Sequence, residues 1–194
     1  TNGGATWSIA NRPDTNFLWL NKVILNPLDP DILYAVGSTA DTNQFNVDRR
    51  AVFRSNDAGD SWTQLWGGGG NPEHVMDIEI NPSDTAELII GTLSNVYISN
   101  NSGTSWTSLL GASPLITTPM GLNGRRCEVA YCQSSPSTIY VLRYLTATGI
   151  TTSQVWQTTD GGTNWTLLST TTGGANASVL GGQGNYDNII WADP

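Results

Sequence analysis

One short pattern recurs along the chain and limits its fold more than any other feature. It reads Ser or Thr, then Asp or Asn two residues later, Gly two residues after that, and Trp three residues further on. Complete copies span Ser55–Trp62, Ser99–Trp106 and Thr158–Trp165, and Asn2–Trp7 is the tail of another copy. The four tryptophans are 55, 44 and 59 residues apart. Repeats of this length are typical of solenoids and propellers.

The chemistry of the pattern is that of a stabilised hairpin turn. A short Asp or Asn side chain accepts hydrogen bonds from backbone N–H groups further along the chain. Gly supplies the positive φ that the turn needs, and Trp begins the next strand and buries a large apolar area. We therefore interpret the pattern residues as structural and not catalytic. They are Asn2, Gly4, Trp7, Ser55, Asp57, Gly59, Trp62, Ser99, Asn101, Gly103, Trp106, Thr158, Asp160, Gly162 and Trp165.

The segments between these turns alternate in polarity as β-strands do. Val23 and Leu25 share one face, as Ile78 and Ile80 do, and this period of two favours strands over helices. Each unit contains four such segments, which is the content of one propeller blade. The sequence therefore predicts an all-β fold, a β-propeller segment built of four-stranded antiparallel blades.

The register of the pattern predicts the unit boundaries. Three full blades are predicted at 19–68, 72–111 and 122–170, with 1–18 as the last strand of a preceding blade and 183–194 as the first strand of a following one. Open sheet edges invite pairing with another strand. We therefore expect either further blades or another copy of the chain to complete the sheet. A head-to-tail arrangement of copies would propagate as a fibre.

Composition excludes some classes of partner. The formal net charge is −8, so the chain lacks the basic surface that a nucleic-acid binder needs. No apolar run approaches the roughly 20 residues of a membrane-spanning helix. The single histidine, His74, has no clustered partners for a zinc site. Calcium held by loop oxygens stays open as an alternative, and no other cofactor or metal is predicted.

The two cysteines, Cys127 and Cys132, lie five positions apart. In an extended strand their Cα atoms would be about 16 Å apart, beyond the roughly 7 Å limit for a disulfide. We therefore predict two buried thiols. A bond to another molecule and a turn that brings the two together remain as alternatives.

The turn pattern and the Pro-containing turns between strands resemble the Asp-box, or bacterial neuraminidase repeat, propellers. These include sialidases, xyloglucanase-type hydrolases, sortilin-like receptors and a photosystem assembly factor. Segments 126–131, 135–140 and 182–187 further resemble large surface propellers of bacteria that use type IX secretion. The resemblance implies an extracellular or cell-surface location, with glycans or other surface proteins as partners.

Candidate site residues come from aligning the first strand of each unit. The alignment places Lys22, Asp77 and Glu128 at one equivalent position, just before Val23, Ile78 and Val129. Glycoside hydrolases of the xyloglucanase-like kind need two carboxyl groups about 5–10 Å apart, and Asp77 with Glu128 is the candidate pair at the propeller axis. The alternative is that both are polar lining of the channel, paired with Lys22 or water.

Two classes of function remain. The first is a non-enzymatic scaffold, adhesin, or fibre or surface-layer subunit that binds or carries carbohydrate. Aromatic side chains such as Trp19, Trp66 and Tyr144 suit stacking on sugars, and three Asn-x-Ser/Thr sequences are candidate glycan acceptors. The second is the hydrolase with Asp77 and Glu128. We favour the first because the repeated pattern carries no chemistry. The glycan acceptors are Asn100, Asn164 and Asn176.

Overall fold

The fold is described from a computed structural model. It describes residues 5–6, 11, 17–39, 51–66, 74–93, 95–109, 123–147, 150–173 and 189–192, and all that follows concerns these residues. The predicted turn residues Asn2, Gly4 and Trp7 lie outside them. So do Asn176 and most of the predicted strand at 183–194.

The described residues form three four-stranded antiparallel sheets without a helix, in agreement with the predicted fold class. The first sheet has the order β1-β2-β3-β4, the second β5-β6-β7-β8 and the third β12-β11-β10-β9. The strands are β1 (Phe17–Asn26), β2 (Asp29–Thr39), β3 (Ala51–Ser55), β4 (Thr63–Trp66), β5 (Val75–Ile80), β6 (Leu88–Thr92), β7 (Val96–Ser99), β8 (Thr107–Ser108), β9 (Asn123–Tyr131), β10 (Ile139–Ala147), β11 (Ile150–Thr158) and β12 (Thr166–Gly173).

The sheets pack face to face because each strand alternates its apolar side chains. In the second sheet, Ile78 and Ile90 join the cluster that includes Tyr34 and Val36 of the first sheet. Ile89 instead joins the cluster that includes Val129 of the third sheet. Strands β1, β5 and β9 contact one another in series. The three sheets therefore stack as blades, and their first strands form one common edge.

The three repeated turns share the hydrogen bonds that backbone N–H groups donate to the Ser or Thr hydroxyl and to the Asp or Asn side chain. In the first turn, the Ser55 hydroxyl accepts the N–H of Gly59 at 2.8 Å, and Asp57 Oδ1 accepts the N–H of Ser61 at 2.8 Å. The indole N–H of Trp62 donates to the carbonyl of Gly59 at 3.1 Å. In the second turn, the Ser99 hydroxyl accepts the N–H of Gly103, and Asn101 Oδ1 accepts the N–H of Ser105. In the third turn, the Thr158 hydroxyl accepts the N–H of Gly162, and Asp160 Oδ1 accepts the N–H of Asn164.

The side chains of three residues, Cys132, Tyr144 and Trp66, differ from what the sequence predicts. Cys127 is buried, but Cys132 is half-exposed because it follows the end of β9, and no disulfide joins the two. Tyr144 is buried within β10 instead of being available to a sugar. Trp66 packs between the first and second sheets, with its ring centroid 4.9 Å from Tyr97 and 6.0 Å from Trp106.

Candidate functional site

The common edge of the three sheets brings the aligned charged residues together. Lys22 of β1 extends to the second sheet, where its Nζ donates to Asp77 Oδ1 at 2.7 Å and to Glu79 Oε1 at 2.6 Å. Glu128 occupies the equivalent position on β9 of the third sheet. A chain of charges therefore crosses both boundaries between sheets.

Asp77 is the centre of this chain, and its side chain is only 3% exposed. Besides Lys22, its Oδ1 accepts the backbone N–H of Ile78 at 2.9 Å. Its Oδ2 accepts the backbone N–H of Val129 on β9 at 2.9 Å. One carboxylate thus links strands of all three sheets. Bonds between an ionised acceptor and N–H donors are among the stronger hydrogen bonds in proteins.

Glu128 is buried beside Asp77 and accepts a hydrogen bond from Arg126 Nε on the same strand. Burial, together with the nearby negative charge of Asp77, raises the pKa of Glu128 to about 8. The Arg126 guanidinium opposes the shift but does not cancel it. A carboxyl group with such a pKa holds its proton at neutral pH.

Lys22 and Glu79 also have shifted pKa values. Burial raises the pKa of Glu79, and the ammonium of Lys22 offsets part of the increase. For Lys22, burial lowers the pKa, but the charges of Asp77 and Glu79 outweigh it and raise the pKa above its ordinary value. Lys22 therefore stays protonated and neutralises the carboxylates that face it from the second sheet.

An open groove lies at one end of the first strands, beside this charged cluster. Its volume is about 530 Å³. The Pro-containing turns after β1 and β5 contribute Pro27 and Pro82, and Glu79 is its one charged lining residue among those the structure describes. The remaining lining residues are Ile24, Leu25, Ile80 and Gln133.

The structure brings together the residues that the alignment of first strands selects, Lys22, Asp77 and Glu128. Sequence reasoning did not assign Arg126 to Glu128, although their spacing of two residues places both on one face of a strand. It also did not single out Arg143, which is fully buried in β10.

Among the described residues, no group of His, Cys, Asp or Glu has an arrangement that could hold a metal ion. The described part of the chain contains no apolar helix of the length that crosses a membrane.

The stacked four-stranded sheets define the chain as a β-propeller protein. The family model Sortilin-Vps10, described as sortilin, neurotensin receptor 3, matches residues 50–189, which is more than half of the chain. The chain therefore belongs to the Sortilin-Vps10 family. No curated protein sequence matches it.

A solved structure supports the same architecture. The crystal structure of an ancestral GH74 enzyme matches with a TM-score of 0.56 and 18% identity over 84% of this chain. This chain spans 20% of the length of that enzyme. A structure of YCF48 bound to D1 peptide matches with a TM-score of 0.44 and 14% identity, covering 83% of this chain and 46% of that one. At these identities the likeness to the enzyme concerns the fold alone.

Proposed function

We propose that this chain is a non-enzymatic propeller scaffold of the extracellular space or cell surface. Its partners in this proposal are glycans or other surface proteins. The observation that carries it is the bonding of Asp77, whose two oxygens are both engaged by Lys22 and by backbone N–H groups. A carboxylate held in this way links neighbouring sheets and has no oxygen directed at a substrate.

The repeated turns support the same role. In this proposal they are Asp boxes, and their hydrogen bonds close each hairpin at its own Ser or Thr and its own Asp or Asn. The bonds are internal to each turn, so the turns stabilise a rigid framework. Variable loops on such a framework are suited to binding.

A glycoside hydrolase of the xyloglucanase-like kind is the second candidate. Two observations favour it: the fold likeness to an ancestral GH74 enzyme, and the raised pKa of Glu128. A protonated carboxyl group at neutral pH is what the general acid of a glycosidase needs. In this reading Glu128 would be the acid and Asp77 the second carboxyl group.

An activity assay separates the two candidates. The chain is incubated with xyloglucan and a panel of plant and microbial polysaccharides, and new reducing ends are measured. The Asp77→Asn and Glu128→Gln variants serve as matched controls, because both are close to isosteric. The scaffold proposal expects no difference between the three proteins. Hydrolysis that both substitutions abolish would overturn it.

Binding is tested separately, on a glycan array and by pull-down from a preparation of surface polysaccharide. The scaffold proposal expects binding that the Asp77→Asn and Glu128→Gln substitutions leave unchanged. Location is tested by treating intact producing cells with a protease and following loss of the chain. Protection of the chain in intact cells would contradict the surface assignment.

A further inference from the structure

The outermost strand of the third sheet, β12, has an open edge. It lies at one end of its sheet, and among the residues that the structure describes β11 is the one strand that pairs with it. The side chains of residues 166–170 are all exposed, and Leu167 and Leu168 are 38% and 50% exposed. One side of β12 therefore presents backbone N–H and C=O groups to which another strand can bind.

The openness of this edge does not depend on whether further sheets precede or follow in the chain. Neighbouring sheets pack through their faces, where the second sheet contributes Ile78 to one apolar cluster and Ile89 to the other. The second sheet thus has a sheet against each face, and its outermost strand β8 is still the end of that sheet. A further sheet packed on the third would likewise cover a face and leave the edge of β12 open.

The outer strand of the third sheet differs from the two others in length. β4 has four residues and β8 has two, whereas β12 has eight. Short edge strands, Lys and Pro are the usual protection against pairing with another chain, and β12 contains neither Lys nor Pro. Pairing with β11 shifts register between Val155 and Trp156, but residues 169–173 pair with β11 without a shift. Of the three described outer edges, β12 is therefore the one suited to accept a strand.

The outer half of the third sheet is also uncharged. The chain has a net charge of −8, yet residues 144–159 and 161–186 contain no Asp, Glu, Lys or Arg. The hairpin of β11 and β12 is therefore a neutral part of an acidic protein. A partner recognised through charge would find no counter-charge on this edge, whereas a second copy of the strand would meet no like charge.

The sequence of β12 is suited to pairing with itself. It reads TLLSTTTG, so five of its eight residues are Ser or Thr. The middle of the strand is formed by Ser169 and Thr170. An antiparallel pair of two copies that is centred on either residue places a Ser or Thr opposite a Ser or Thr. Such pairs hydrogen-bond across neighbouring strands and stabilise a sheet.

We propose that β12 is a self-association edge, and that its occupant is β12 of a second copy of this chain in antiparallel pairing. The two third sheets then form one continuous sheet across both copies. Each copy uses its own edge to cover the edge of the other, so the contact is symmetric and closes at a dimer. The proposal goes beyond the proposed function, since neither a scaffold nor a hydrolase requires it.

Charge outside the hairpin determines the conditions under which the copies associate. Each copy has a net charge of −8, so two copies repel each other at low ionic strength. Salt shortens the range of this repulsion to about 10 Å at 0.1 M, and the neutral strands lose no ion pair. We therefore expect the dimer to strengthen with added salt, opposite to the behaviour of a contact held by ion pairs.

The test uses the full chain with a charge of either sign at one position of β12, Ser169→Lys or Ser169→Glu. In the proposed pairing the two copies of residue 169 lie opposite or diagonal to each other, within about 8 Å, so equal charges there repel. Ser169 is exposed, so the fold should tolerate both changes, and circular dichroism checks this. Thr63→Lys and Thr63→Glu are the matched controls, because Thr63 is an exposed residue of the short outer strand β4.

Mass is measured by sedimentation equilibrium over a range of concentrations and salt. The unchanged chain and both Thr63 variants should approach twice the monomer mass of 20.8 kDa as concentration rises. Each Ser169 variant alone should remain a monomer. An equimolar mixture of Ser169→Lys and Ser169→Glu should dimerise again, because opposite charges then meet. In the unchanged chain, amide hydrogen exchange in β12 should slow at the concentrations that form the dimer.

Three outcomes would overturn the proposal. A chain that is monomeric at every concentration and salt would show that a second copy does not occupy the edge. A dimer that both Ser169 variants leave intact would use another surface. Loss of the dimer in both variants without recovery in their mixture would show that the two copies of residue 169 do not face each other. None of these outcomes affects the scaffold role, which the polysaccharide assay tests through Asp77 and Glu128.

Discussion

Gly91 of β6 lies so close to Cys127 of β9 that a Cβ atom at position 91 would be 2.1 Å from the Cys127 carbonyl oxygen. The contact joins the second sheet to the third at backbone level. A glycine is the one residue that allows this approach. The contact between Gly91 and Cys127 therefore sets how closely β9, which carries Glu128 and Val129, approaches Asp77.

Gly91→Ala should therefore destabilise the protein. The added methyl group meets backbone atoms that cannot rotate away, so the two sheets must separate. We expect a loss of at least about 2 kcal/mol in the free energy of unfolding, toward the upper part of the range for overpacked cores. Urea denaturation followed by tryptophan fluorescence measures it.

Gly161→Ala is the matched control for that change. Gly161 has a φ of 69°, and no atom lies within 4 Å of the position of its Cβ. Alanine there incurs only the cost of the left-handed conformation, about 1 kcal/mol. Equal losses for the two variants would contradict the role assigned to the contact between Gly91 and Cys127.

The first repeated turn contains a strained residue that the third turn avoids. Ala58 has a φ of 56°, and the equivalent position in the third turn is Gly161. Ala58→Gly should raise the free energy of unfolding by about 0.5–1 kcal/mol, because relief of the left-handed strain exceeds the entropy that glycine adds to the unfolded chain. Thermal denaturation measures it. A lower melting temperature for Ala58→Gly would show that the first turn does not carry this strain.

The turns and the strand pattern could be predicted from the sequence because their causes are local. A Ser or Thr, an Asp or Asn and a Gly at fixed spacing determine each hairpin, and Val or Ile at alternate positions determine each strand. Tyr144 and Trp66 could not be placed in the same way. Whether an aromatic side chain faces solvent depends on which sheet packs against it, and that is not a local property.

Asp160 should stabilise the third turn mainly through accepted hydrogen bonds. The backbone N–H of Asn164, its side-chain amide and the Thr158 hydroxyl together lower the pKa of Asp160 to about 2. Its contribution to stability is therefore present above the ordinary value of about 3.8 and is lost as the pH falls through about 2. We expect Asp160→Ala to lower the melting temperature at pH 7 and to bring it closer to that of the unchanged protein near pH 2.

Asp160→Asn is the control for that prediction, because Asn101 holds the equivalent position in the second turn and accepts the N–H of Ser105 at 2.8 Å. The amide retains an acceptor oxygen and does not titrate, so the melting temperature should fall less at pH 7. If Asn and Ala substitutions were equally harmful at pH 7, the charge and not the hydrogen bond would be the stabilising feature.

At the candidate site, the alignment of first strands could place Lys22, Asp77 and Glu128 together, because equivalent positions in stacked sheets are neighbours. It could not predict that Asp77 Oδ2 accepts the N–H of Val129. That bond depends on the separation of two sheets, which the glycine at position 91 helps to set. The roles of the carboxyl groups therefore follow from distances between sheets and not from the residues alone.

Glu128 should make the stability of the protein depend on pH in the neutral range. Its pKa rises from 4.5 to about 8 on folding, so between these values the native state keeps a proton that the unfolded chain has lost. The stabilising contribution is complete below about 4.5 and is lost as the pH rises through about 8. The free energy of unfolding, measured in urea at a series of pH values, should fall across this interval.

Glu128→Gln should flatten that dependence, because the amide cannot lose a proton and can still accept a hydrogen bond from Arg126. Above pH 8 the variant should be the more stable protein, since it buries no charge beside Asp77. Arg126→Gln is a second variant, and it should extend the pH dependence of stability instead of flattening it. It removes the cation that lowers the pKa of Glu128, so the fall in stability should extend to higher pH. A pH profile that neither substitution changes would show that another group titrates, and a carbon-13 NMR titration of the Glu128 carboxyl group would then locate its pKa directly.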